Sequence, residues 1–232
     1  MSQDTLTQPK LPVELESAHP REILAWVRDH VPGTIVSTSF QPSGLVILDL
    51  LKELGWNPPV VFLDTLHHFP ETLALAETAR EFFGIDLRIF KPQGFETAAA
   101  LAAVHGEKLW DRDVDLYQTI TKVEPMKRAL ESLGARAWIS GRRRDQSEGR
   151  AILPVLEPKG ERLKVNPLAN WGKSETWAYI LQKGLPYNPL HDQGYPSIGD
   201  APLTAPVGIG EDERSGRWKG KGKSECGIHT QI

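Results

Sequence analysis

Short apolar runs alternate along this chain with longer segments of helical spacing, and that alternation limits its fold more than any other feature. Residues 34–40, 59–64, 86–91, 135–140 and 162–166 read as strands, rich in Val, Ile, Leu and aromatic residues. Residues 20–30, 45–54, 71–83, 96–104, 122–133 and 173–182 repeat apolar side chains at helical intervals. Strand–helix alternation predicts an α/β fold: a mostly parallel sheet with helices on both faces. Such sheets bind ligands beyond the carboxyl ends of their strands. Residues 110–121 read as irregular and acidic, and 185–206 as loop. Residues 1–17 read as a disordered or loosely packed lead, 18–206 as the α/β domain and 207–232 as a mobile tail.

The strand ends carry chemistry. Ser37, Thr38 and Ser39 close the first strand, and residues 41–44, with Ser43, read as the turn into a helix. Backbone N–H groups and the positive end of the helix dipole make that geometry an anion site. A serine-rich turn also serves as an ordinary helix N-cap, so the motif alone leaves both readings open. The second strand ends in Asp64 and Thr65. The fourth runs into Gly141, Arg142, Arg143 and Arg144, with Gln146 and Arg150 close behind. Guanidinium groups pair with phosphate or sulfate in bidentate fashion, which favours a polyanion site over a solvated charge run. His67 and His68 lack a third ligand at useful spacing, so packing or surface roles suit them better than a metal.

Cys226 is the only cysteine among 232 residues, which allows neither an internal disulfide nor an all-cysteine metal site. Arg217, Lys219, Lys221 and Lys223 precede it, and cations favour the nucleophilic thiolate. The alternative is a lone thiol left in a tail. A net charge of −3 argues against nonspecific nucleic-acid binding. No apolar run approaches the roughly 18 residues of a membrane span. The first twenty residues lack the order of a signal peptide. A cytoplasmic setting follows, and its reducing conditions suit an unpaired thiol. Together these features read as a nucleotide held at the sheet edge and attacked by a tail cysteine.

Several blocks carry a resemblance to a known family. They are residues 37–40, 63–72, 122–125, 141–147, 188–190, 194–200, 210–214, 217–218 and 225–229. With them the chain resembles the phosphoadenylyl-sulfate (PAPS) reductases of assimilatory sulfate reduction, nearest to the fungal-type enzymes without an iron–sulfur cluster. The resemblance implies a Rossmann-like, adenine nucleotide α-hydrolase-like fold with a modified pyrophosphatase loop, residues 18–206 binding the nucleotide. It implies that Cys226 attacks the sulfonyl sulfur, displacing adenosine 3′,5′-bisphosphate and leaving an S-sulfocysteine. Thioredoxin or glutaredoxin would then release sulfite, and the protein would be a homodimer.

By the same resemblance Lys122, Arg214, Arg217 and His229 surround the sulfate and the thiol. Ser37, Thr38, Ser39 and Ser43 form the phosphate loop, with Asp64 and Thr65 at the second strand end. Gly141, Arg143, Arg144, Gln146 and Arg150 belong to the nucleotide-binding motif; Arg142 ranks lower. Relatives that use adenylyl sulfate (APS) ligate a [4Fe–4S] cluster through cysteines at positions that here hold Tyr117, Gln118, Asp200 and Leu203. No bound cofactor is therefore expected, and PAPS is the expected substrate. Gln41 stands where relatives often carry glycine and is expected to alter the loop. The competing readings are a cluster-free APS reductase, an ATP pyrophosphatase, whose usual loop is missing here, and a nonenzymatic nucleotide-binding module.

Overall fold

The structure is a computed structural model and describes residues 11–208, 210–218 and 227–232. Its strands are β1 (Thr34–Ser37), β2 (Val60–Leu63), β3 (Leu87–Phe90), β4 (Ala137–Ser140), β5 (Leu156–Lys159) and β6 (Arg162–Val165). They form one sheet in the order β3-β2-β1-β4-β6-β5. All pairings are parallel except that of β5 with β6. The chain builds outward from β1 to β2 and β3 on one side, and to β4 and β6 on the other. The topological switch therefore lies between β1 and β4, where open α/β sheets leave a crevice.

The helices are α1 (Pro20–His30), α2 (Pro42–Glu53), α3 (Pro70–Phe83), α4 (Ala98–His105), α5 (Leu109–Arg112), α6 (Val114–Gln118), α7 (Glu124–Ser132), α8 (Lys173–Lys183) and α9 (Gly227–Gln231). One face of the sheet presents Val36, Phe62, Ile139 and Val165 to the main core, which includes Ile23, Leu45, Leu48, Leu75 and Ile180 from the helices. The other presents Ile35, Val61 and Trp138 to Met126, Ala129 and Leu130 of α7, with Ile228 and Ile232 from the C-terminal end packed beside them. Successive strand residues thus serve opposite faces. Helix α2 is buried from Pro42 through Leu51, as a helix enclosed between sheet and other helices must be.

Several sequence expectations change. Helix α2 begins at Pro42 instead of residue 45, because proline at its first position already has a helical φ. Ser43 and Gly44 therefore sit in its first turn. Residues 110–121 are largely helical: α5, α6 and then a π-helical turn, Thr119–Val123, leading into α7. The acidic character there marks helix starts, since the Asp113 carboxylate accepts from Leu116 N (2.9 Å) as the N-cap of α6. Strand β5 was not expected. It carries Glu157, Pro158 and Lys159, tolerable at a sheet edge but unreadable as a strand pattern. Gly160, at φ +57°, makes the tight turn into β6.

Both ends of the described chain are tied to the body. Leu15 is buried, Asn170 Nδ2 donates to the Glu16 carbonyl (2.7 Å), and Val155 N donates to the Glu16 carboxylate (3.1 Å). Ala205 N donates to Gly216 O (2.9 Å) and Trp218 N to Leu203 O (3.0 Å). Among the described residues no helix is long and apolar enough to cross a membrane.

Candidate active site

The end of β1 is shaped by its own hydroxyl. Thr38 Oγ1 accepts from Phe40 N (2.9 Å), and Phe40 takes a left-handed conformation (φ 56°) while its ring packs on Phe62. The chain then turns into α2, whose N-cap, Gln41, makes no side-chain cap. Ser37, Thr38, Ser39 and Ser43 line a cleft in front of that helix end. The Gln41 Oε1 accepts from Ile198 N (2.9 Å), tying the loop to the segment around Ser197 and Gly199.

Gly141, at the end of β4, closes the cleft from beneath. A Cβ there would lie 3.0 Å from Ser43 Cβ and 3.1 Å from Gly44 N, so glycine lets the end of β4 approach the first turn of α2 closely. Arg143 crosses the gap and donates from Nη1 to Ser43 Oγ (2.7 Å). It is buried between Asp145 (2.8 Å) and Glu213 (3.4 Å). Burial raises the pKa of Glu213 despite the opposing pull of Arg143. Gln146 Oε1 accepts from Arg143 N (3.0 Å) and from Arg150, and both Gln146 and Arg150 line the cleft.

The arginine run does not act as one patch. Arg142 faces the cleft, but its guanidinium donates to Glu157 (2.6 Å) and Asn166 (3.1 Å). Arg144 lies outside the cleft and binds Asn170, Glu16 and the Leu153 carbonyl, clamping the N-terminal segment. Asp64 is also outside. Its Oδ1 accepts from Leu66 N (2.9 Å), a local turn that uses the carboxylate at the strand end.

Thr65 and Lys122 do meet, through a residue that sequence reasoning passed over. Asp200 is 1% exposed and accepts from Lys122 Nζ (2.5 Å) and from Thr65 Oγ1 (2.8 Å). Burial pushes the Asp200 pKa up, but Lys122 and the hydrogen bonds outweigh it and hold the group at about 2. The ring of His68 stacks on Phe62 and one ring nitrogen meets the Leu63 carbonyl (2.9 Å). Burial lowers the His68 pKa, so its ring is neutral. The Tyr117 hydroxyl is raised by burial and by Asp200 and stays protonated. Tyr117 and Leu203 belong to one small apolar cluster with Leu109 and Trp218, so an aromatic plug fills this corner.

The C-terminal part completes the wall. Arg217 Nη1 donates to Ser197 Oγ (3.3 Å), and the Arg214 and Arg217 guanidiniums lie 5.2 and 4.7 Å from the Trp218 ring centre. Ile228 and His229 line the cleft from the other side. Burial, followed by the charges of Arg142, Arg150, Lys164 and Arg214, lowers the His229 pKa well below its ordinary value. The imidazole is therefore neutral near pH 7, and its Nδ1 finds no hydrogen-bond partner among the described residues. Cys226 lies outside the described residues; Gly227, the next residue, is buried against Gln118. No cluster of metal-ligating side chains occurs among the described residues.

This cleft can hold an anionic nucleotide: hydroxyls and a helix start at one wall, cations at the other, at the switch point of the sheet. The family profile described as phosphoadenosine phosphosulfate reductase domain matches residues 33–206. The phosphoadenosine phosphosulfate reductase of Emericella nidulans is 44% identical over 94% of this chain and 73% of its own. An adenosine 5′-phosphosulfate reductase of Bacillus cereus is 43% identical over 90% of this chain and 89% of its own. The crystal structure of a Candida auris PAPS reductase, a phosphate complex, has a TM-score of 0.77 and 37% identity, covering 87% of this chain and 100% of that one. The profile spans all six strands and most of the cleft, and on that match the chain belongs to the phosphoadenosine phosphosulfate reductase domain family.

Proposed function

We propose that the chain reduces PAPS to sulfite and adenosine 3′,5′-bisphosphate through Cys226, with thioredoxin or glutaredoxin as reductant. The observation that carries this reading is the convergence of residues from both sides of Cys226 on one cleft. Arg217 and Trp218 precede it and Ile228 and His229 follow it, and all four line the same cleft as Ser37, Thr38, Ser39 and Ser43. On this reading Ser37, Thr38, Ser39 and Ser43 hold the phosphate, and Lys122, Arg214 and Arg217 neutralise the sulfonyl oxygens. A neutral His229 can accept the thiol proton.

The Cys226 thiolate attacks the sulfonyl sulfur, forming an S–S bond as the S–O bond to the phosphate breaks. The nucleotide leaves as adenosine 3′,5′-bisphosphate. One thiolate of an external dithiol then attacks Cys226 Sγ, and sulfite departs with the electron pair. The second thiol resolves the mixed disulfide, so the dithiol supplies both electrons. The reading places the protein in the cytoplasm, where an unpaired thiol stays reduced, and as a homodimer, as the family resemblance implies.

A second reading, APS reduction by the same chemistry, is favoured by the similarity to the Bacillus cereus enzyme. Sulfite release with thioredoxin, PAPS against APS at matched concentrations, separates the two. We expect a preference for PAPS of at least about tenfold, the scale of one charge-assisted contact. Equal use of APS would select the second reading. Cys226→Ser is expected to bind nucleotide and release no sulfite; near-normal turnover by that variant would defeat the thiol mechanism.

A further inference from the structure

Helix α9 is five residues long, too short to be stable alone, so its place on the sheet is set by contacts to the body. Two of these are polar and two apolar. Gly227 N donates to Gln118 Oε1 at 3.0 Å, and Gln118 is 1% exposed. Lys164 Nζ donates to the His229 carbonyl at 3.3 Å and lies 4.6 Å from the Trp138 ring centre. Ile228 and Ile232 pack on the cluster that contains Ile35, Val61 and Trp138.

Lys164 is out of place by the logic of the sheet alone. It is 0% exposed and pairs in register with Trp138, so an apolar residue would simply continue that face. Burying an ammonium costs desolvation unless something compensates it, and here the compensation includes the tail carbonyl and the indole ring. Gln118 is equally pointed. It directly precedes the π-helical turn Thr119–Val123 that contains Lys122, so one short stretch holds the residue after Cys226 at one end and a cleft cation at the other. Single π turns within helical segments recur at functional sites.

We propose that Gln118 and Lys164 are positioning residues for the transfer step: they seat α9 and so set where the adjacent Cys226 meets the substrate. The proposal rests on Cys226 being the nucleophile. Because Cys226 is the sole cysteine, two readouts are clean: its alkylation rate by iodoacetamide, and the single-turnover rate of S-sulfocysteine formation from PAPS. The full chain is compared with Gln118→Leu and Lys164→Met, and with Gln118→Glu and Lys164→Arg, which keep the acceptor and the donor.

The first two variants are expected to alkylate about three- to tenfold faster and to form the intermediate about tenfold or more slowly, since a lost latch shifts the tail toward its unseated state. Their affinity for adenosine 3′,5′-bisphosphate is expected to stay within about twofold of the parent, because neither side chain lines the cleft. The conservative variants are expected to recover most of both rates. Unchanged alkylation and transfer would overturn the proposal, as would a loss of nucleotide affinity parallel to the loss of rate, which marks a purely structural role. If the parent chain forms no S-sulfocysteine, the thiol reading falls, while the alkylation comparison still decides whether the two residues seat α9.

Discussion

Lys122 and Asp200 form a buried pair at the cleft wall, and each is the reason the other can be there. An ammonium and a carboxylate out of water depend on mutual attraction and on further hydrogen bonds, here including that from Thr65. Removing one partner leaves the other charge stranded. Lys122→Met and Asp200→Asn are each expected to cost about 3 kcal/mol or more in denaturant unfolding. The double variant is expected to regain much of that stability, because both charges are gone. Sulfite release should stay about a hundredfold or more below the parent in Lys122→Met and in the double variant, as for loss of a group that stabilises developing charge. Recovery of turnover in the double variant would reduce the pair to a structural one.

At the level of elements, the junction of β1, β4 and α2 is closely packed beside the site. A Cβ on Gly44 would overlap Thr38 Oγ1, the atom that accepts from Phe40 N and shapes the loop. A Cβ on Gly141 would press on the first turn of α2. Gly44→Ala and Gly141→Ala are each expected to weaken adenosine 3′,5′-bisphosphate binding by about tenfold or more, read by titration calorimetry, since anion sites of this kind depend on backbone approach. Parent-like affinity in both would separate the loop from the phosphate. The π-helical turn is a second element at the site: it follows Gln118, which bonds Gly227, and contains Lys122, which lines the cleft.

For the whole molecule, burial of neutral histidines makes stability depend on pH. His191 is held at about 4 from an ordinary 6.5, chiefly by burial, with the Tyr195 carbonyl and Asp192 pulling it up and Lys173 pulling it down. His68 and His229 are lowered in the same direction. Above the ordinary histidine range neither state is protonated there, so the folded form loses nothing. As pH falls below about 6.5 the unfolded chain takes up protons that the folded chain refuses, and stability declines. Urea midpoints are expected to fall steadily from pH 7 to 4.5, and His191→Gln should lessen that slope. A flat profile over this range would contradict the burial of these rings as neutral groups.

The alternation of strands and helices, the hydroxyl-rich end of β1, the turn from that strand into a helix and the single cysteine near the end of the sequence were all determined by the sequence itself. Each is a local pattern, written within a few residues. The tertiary structure alone decided which charges pair. Arg142, Arg143 and Arg144 are adjacent in the chain, yet they face Glu157, Ser43 and Glu16 respectively, because consecutive side chains at a strand end leave in different directions. Asp64 looked like a site residue and is used by its own turn. Asp200 looked like loop and anchors the cleft. Its partners lie 135 and 78 residues away in sequence, and Gln118 meets Gly227 across 109. No periodicity reaches over such distances; only the packing that brings the strand ends to one rim makes those residues neighbours.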